Sequence, residues 1–264
     1  MTAPPATRPP APPPEQLPQM SLFDHLEELR KRIVYALLYL AAGFTVCWLY
    51  HDEIFAFLAV PIQRQFPEGT KLVFLGVTDP LVLFLKVSLL AGVFVSSPFL
   101  LFQAWRFIAP GLYARERHSA LPFVIFGTLF FVAGGAFAYY VAFPFAVEFL
   151  LGIGLQFQAV ITIERYFSFL VTVILGLGLM FELPIFIVLF AQLGLVTPRF
   201  LLRHFRWAVL LIFAVAAVVT LTPDVFNMSV FVLPAIGLYL LGIAVAAVVV
   251  RKKRRAAAAP SAVD

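Results

Sequence analysis

Six apolar runs, near residues 33–50, 81–103, 120–143, 167–193, 207–221 and 229–250, constrain this chain more than anything else in it. Crossing about 30 Å of hydrocarbon takes about 20 helical residues. A backbone in lipid must also satisfy its own hydrogen bonds, which leaves helices or a closed barrel. Runs of this length select helices. Composition agrees: 62% of residues are hydrophobic and 12% charged, against about 45–50% and about 25% in globular proteins. The fold class is therefore an all-α polytopic membrane protein. The fifth run, bounded by Arg206 and Thr222, is short for a span; it crosses thinned bilayer or is shielded by neighbouring helices.

Charge placement predicts the orientation. With both termini cytoplasmic, Arg8, Arg30, Lys31, Arg32, Arg106, Arg115, Arg117, Arg199, Arg203, Arg206 and the basic run 251–255 fall on the inner side. These are fifteen of the nineteen lysines and arginines; Arg64, Lys71, Lys86 and Arg165 are the rest. Loop cations favour the cytoplasmic side. Six spans with both ends inside follow, with outer loops over 51–80 and 144–166, long enough for short helices.

Three regions are expected. Residues 1–19 hold eight of the twenty prolines and read as a disordered arm. They contain no apolar core ahead of a small-residue cleavage site, so no cleavable secretory signal is expected. Residues 20–250 form the membrane domain and 251–264 a basic tail. Ser21 and Asp24 are spaced as a helix-capping signal. Leu22, Leu26, Leu29 and Ile33 then make an amphipathic stripe leading into the first span. Pro98, Pro184 and Pro234 fall inside spans two, four and six, where each removes a backbone donor and is expected to kink its helix. Three kinks suggest a curved bundle with a concave side. No internal repeat is visible.

The chain carries no constellation that points to an enzyme. Phosphate-loop spacing is missing, and the four histidines are scattered without metal or triad spacing. The single cysteine, Cys47, excludes an internal disulfide. No metal or cofactor is expected. Ionisable groups in or beside the membrane are what stand out. Glu182, in "MFELPIF", lies well within span four, where a carboxylate normally faces protein or water and is functional by default. The plain alternative is a protonated or locally bonded glutamate beside the Pro184 kink. Lys86 lies near the outer end of span two and can snorkel. Glu28 has Arg32 four residues on, able to pair along the helix face. Glu116 stands between Arg115 and Arg117, where a solvated ion pair contributes little. Singly, each carboxylate reads as structural. Together they are acids close to the bilayer on a face rich in positive charge, and a cationic ligand would find few other partners there.

"HLEELRKRI", the "VPI" of the first outer loop, "FQAWRFIAPGLYARER", "AYYVAFP", "FELP" and "LTPDVFNM" occur in that order across the six spans. Over residues 20–250 the chain resembles TatC, the core membrane subunit of the twin-arginine protein translocase. The resemblance implies a receptor for signal peptides of folded cargo bearing paired arginines. It places Glu28 and Glu116 against that arginine pair, with Arg30 and Phe107 as further motif residues of the binding face. It matches Tyr139 and Glu182 to intramembrane polar positions, and Pro61 and Asp224 to motif positions on the outer side. Many relatives carry two prolines just before that aspartate; "TLTPD" has one. Implied partners are TatA and TatB, or a bifunctional TatA, membrane lipids and further copies of the chain, with no nucleic acid. The implied location is the bacterial cytoplasmic membrane, and the implied energy source is the proton-motive force.

Independent chemistry agrees with this reading, since a guanidinium pair prefers carboxylates that it can meet with two parallel bonds. Two other classes are weighed beside it. A proton-coupled small-solute transporter would use Glu182 and Lys86 as a relay, against which the missing inverted repeat argues. A permease of an ATP-driven importer would need the loop around 104–118 to dock an ATPase.

Overall fold

The computed structural model describes residues 22–65, 73–108, 120–154, 161–220 and 225–258. Among these the chain is helical apart from turns and one bridge between Val73 and Thr162. Helix α1 (Leu22–Leu49) has Asp24 in its first turn and joins the amphipathic lead to the first apolar run without a break. Ser21 lies outside the described residues. The loop after the first span then holds a short helix, as its length suggests: α2 (His51–Gln65), with Pro61 inside it.

α3 (Asp79–Ile108) is the second span and runs through Pro98. The Phe94 carbonyl, which Pro98 has no N–H to satisfy, instead accepts the Ser97 hydroxyl at 2.7 Å. A local side chain thus re-satisfies the freed acceptor and lets the helix continue. Pro234 likewise stands inside a continuous helix, α10 (Val225–Ala258).

Pro184 behaves differently. It stands at the start of α7 (Leu183–Gln192), and Glu182 separates that helix from α6 (Ile163–Phe181). The Glu182 carbonyl accepts from Ile185 at 3.0 Å and Phe186 at 3.1 Å, so the chain turns and resumes. Of the three prolines expected to bend spans, this one ends a helix.

A fourth proline matters in the third span, which the sequence reading ended at 143. α4 (Ala120–Phe137) passes into a π-helical turn (Ala138–Ala142) and then α5 (Phe143–Ile153). Within the turn the Phe143 N–H bonds the Ala138 carbonyl, five residues back. Pro144 follows immediately and can neither donate nor tolerate a carbonyl four residues before it. The widened turn absorbs that conflict and the helix goes on to Ile153.

The remaining elements are α8 (Pro198–Arg203), capped by Thr197 at 3.2 Å to the Phe200 N–H, and α9 (Phe205–Thr220). Gly194 supplies the positive φ of 75° that reverses the chain after α7. Among the described residues, five helical stretches are long and apolar enough to cross a membrane: Phe23–Leu49, Asp79–Ile108, Ala120–Ile153, Ile163–Gln192 and Met228–Lys252. α9 supplies a sixth, shorter apolar segment over Phe205–Ala217, as the short fifth run predicts.

α6 is the central helix. Phe167, Leu170, Val173 and Leu177 are fully buried along it, against α4, α3 and α10. α1 packs along α3 and leaves Leu37, Leu38 and Val46 exposed to the lipid side. At one end of the bundle the end of α3, the start of α4 and α7 gather around Trp105, Phe123 and Leu189, with the start of α1 packed along α3 beside them. At the other end, the Tyr139 hydroxyl donates to the Phe57 carbonyl and its ring stacks on Phe57 at 4.8 Å, holding α2 across the bundle.

Lys86 also belongs to that second end. It donates to Ser168 Oγ at 2.7 Å and lies 3.3 Å from Glu164 Oε1, tying α3 to α6. Both charged side chains are partly exposed, so the clamp is a weak one. Lys86→Met is expected to cost no more than about 1 kcal/mol, read as a small shift in thermal unfolding of the detergent-purified protein.

Candidate functional site

α1 and α3 bring Glu28, Arg32, Gln103, His25 and Phe107 together at the end where α1 begins. Spacing does the first part, because His25, Glu28 and Arg32 follow at three and four residues and so share one helix face. Arg32 Nε donates to Glu28 Oε1 at 2.6 Å, and Nη2 donates to the same oxygen. Arg32 Nη1 reaches across to Gln103 Oε1 on α3 at 3.4 Å. The helix-face pairing expected from the sequence is present, with a third member that sequence alone did not reveal. Gln103 is buried at 5% exposure. The side chains of Arg32 and Glu28 retain 12% and 20% exposure, so the pair is largely withdrawn from water.

The His25 ring stacks on Phe107 at 4.7 Å, which closes the same corner from the side. Arg30 and Lys31 are exposed. Glu116 and the rest of segment 109–119 lie outside the described residues. The flanks of that segment are held, with Trp105 of α3 packed on Phe123 of α4 at 5.1 Å between ring centres. Asp224 also lies outside the described residues. Pro61 is buried within α2 at the opposite end.

Glu182 forms a separate feature. It is 4% exposed, and neither carboxylate oxygen has a hydrogen-bond partner. It faces α4 where that helix carries Gly127; a methyl group built there would lie 3.3 Å from Glu182 Oε2. The Thr128 hydroxyl, the next residue on α4, is buried and unpartnered as well. A cleft of about 530 Å³ passes this break between α4 and α10, lined by Trp105, Phe123, Phe130, Pro184, Gln192 and Val245 among others.

Lys86 does not join this feature. Its partners Glu164 and Ser168 precede Glu182 on α6 by 18 and 14 residues, which is roughly 20–27 Å of helix at about 1.5 Å per residue. The relay that a Glu182–Lys86 transporter would need has no contact between its two members.

Comparison with known proteins sharpens the picture. The family model described as "Sec-independent protein translocase protein (TatC)" matches residues 24–234. The protein of that name from Koribacter versatilis is 46% identical over 235 residues, covering 88% of this chain and 87% of that one. Its Helicobacter pylori counterpart is 39% identical over 229 residues, covering 86% and 89%. A crystal structure titled "Twin Arginine Translocase Receptor- TatC" superposes with a TM-score of 0.76 at 31% identity, over 85% of this chain and 98% of that chain. With a family model matching most of the chain, relatives covered over nearly their full length and a superposition that takes in almost all of the solved chain, this chain belongs to the TatC family and is a multi-span membrane component of the twin-arginine translocase.

Proposed function

We propose that this protein is the receptor subunit of the translocase. It binds the paired arginines of signal peptides on folded cargo at the corner carrying Glu28, with Glu116 as the second carboxylate and Arg30 and Phe107 beside them. The observation that carries this reading is the state of Glu28. Its carboxylate already holds a guanidinium through two donors, at a largely water-excluded position, which is the chemistry that an arginine ligand would use. In this reading both termini are cytoplasmic, as the charge distribution predicts, and the membrane is the bacterial cytoplasmic membrane. TatA- and TatB-type single-span partners assemble against the membrane domain at Glu182, and the proton-motive force supplies the energy for export. Tyr139 holds α2 at the far end of the bundle through Phe57, and Pro61 serves there as a structural motif position of that helix.

Photo-cross-linkers at positions 24 and 31, which flank Glu28 on α1 and leave both carboxylates in place, test the assignment. Both are expected to capture a signal peptide that carries its arginine pair, and capture should fall at least about tenfold when the pair is replaced by glutamines, in line with the strength of charge-assisted bonds. Glu116→Lys should remove the cross-link from both positions while the protein still inserts in the membrane. Undiminished capture by the lysine variant would refute the two-carboxylate site.

A further inference from the structure

We propose that Arg32 is a resident placeholder for the ligand's arginine, and that displacing it sets the threshold a cationic ligand must pass to enter the site. This rests on the reading of Glu28 as part of the receptor site. Two donors of one guanidinium converge on a single Glu28 oxygen, while its third nitrogen is held by Gln103 from the neighbouring helix. Gln103 is buried and Arg32 is 12% exposed, so this is a seated side chain and not a freely solvated one. A carboxylate in that position loses water, and a cation in contact offsets the loss.

An entering guanidinium can take over the Glu28 oxygen with the same two-donor geometry. Arg32 then swings off Glu28 toward water and can keep its bond to Gln103, so one resident charge is replaced by an equivalent one. An entering lysine presents a compact, strongly hydrated ammonium in place of the planar fork. It must give up that hydration and still cannot reproduce the two bonds it displaces. The resident arginine therefore raises the threshold for every ligand by the same displacement cost, and a ligand that reproduces its two bonds recovers that cost where an ammonium does not. Local sequence hides this arrangement: Arg32 reads as a topology charge, and Gln103 lies 71 residues further on.

The test is equilibrium binding of fluorescent peptides to the full-length protein in detergent. One peptide carries Arg-Arg ahead of an apolar segment and the other carries Lys-Lys. Arg32→Gln is expected to tighten Arg-Arg binding by about two- to fivefold, the range for a partly exposed ion pair of this kind. It should tighten Lys-Lys binding by a similar factor, because the displacement cost is common to both peptides. Arg32→Lys keeps the charge at the membrane face but not the fork, and should shift both peptides in the same direction by a smaller factor. Arg-Arg binding weakened or unchanged in both variants would overturn the placeholder role. Glu28→Gln separates the two ideas. If it weakens binding while the Arg32 variants bind Arg-Arg no more tightly than the parent, only the placeholder fails. If it binds both peptides as the parent does, the receptor reading of Glu28 fails and takes this inference with it.

Discussion

Replacing Gly92 with leucine is expected to force α1 away from α3 and to remove most of the folded protein from detergent extracts. Gly92 faces Gly43 where the two helices cross. A methyl group built on Gly92 would lie 2.9 Å from the Phe44 nitrogen and 3.0 Å from its Cα. One built on Gly43 would lie 2.9 Å from the Gly92 carbonyl oxygen. The neighbours of Gly92 are all backbone, so no side chain can rotate to make room there; at Gly43 the Ser96 side chain crowds the same crossing as well. Small residues at a membrane helix crossing serve this close approach. Overpacking a well-fitted site costs typically about 1–3 kcal/mol, and a leucine against immovable backbone belongs at or beyond the top of that range.

The loss should extend past stability. Arg32 reaches Gln103 across the same α1–α3 seam, so separation of the helices should abolish signal-peptide binding in whatever protein survives. Gly237 is the matched control, because a methyl built there meets nothing within 4 Å. Gly237→Leu should leave the melting temperature unchanged or raised, since leucine is the better helix former. Similar losses at both positions would show that the crossing is not what Gly92 serves.

How far the sequence could reveal this molecule follows from which interactions are local. Spans, their order and the short fifth run were legible because hydrophobic length is a property of contiguous residues. The break at Glu182 was legible from Pro184, and the pairing of Glu28 with Arg32 from a four-residue spacing. The continuation of the third span past Pro144 was not, because only a π-turn makes it possible, and no local pattern announces one. The unbroken course of α3 through Pro98 depended on Ser97, a compensation visible only once the hydroxyl's direction is known. The Gly43–Gly92 crossing and the Gln103 contact join residues 49 and 71 positions apart. One chain without a fold has no means of pairing them. Tyr139 was placed by motif as an intramembrane polar residue; its hydroxyl and ring are engaged with α2.

Glu182→Ala is expected to reduce recovery of TatA- and TatB-type partners by about tenfold or more while leaving the amount of folded protein nearly intact. The energetics of the site suggest why the two readouts should part. Both oxygens of Glu182 are buried without a partner. A buried polar group left unsatisfied costs about 1–3 kcal/mol, and a charged one at mid-bilayer roughly 2.5–3.5 kcal/mol. For the isolated chain, this residue is therefore a burden. Its removal relieves that cost, against which stands the modest cavity left beside Gly127 and Leu101. A residue retained only for packing would be better as leucine or methionine, which bring no polar group to satisfy. A residue retained to meet a donor on an incoming helix, where the Pro184 break opens the cleft between α4 and α10, would be lost from the complex and not from the fold. The charge-assisted bond it would make there is worth about 1.5–3 kcal/mol, which sets the expected tenfold loss. Glu182→Gln divides the possibilities further. It keeps the shape and one acceptor, so partner recovery should fall between parent and alanine variant. Parallel losses of partner and of folded protein in both variants would return Glu182 to a packing role.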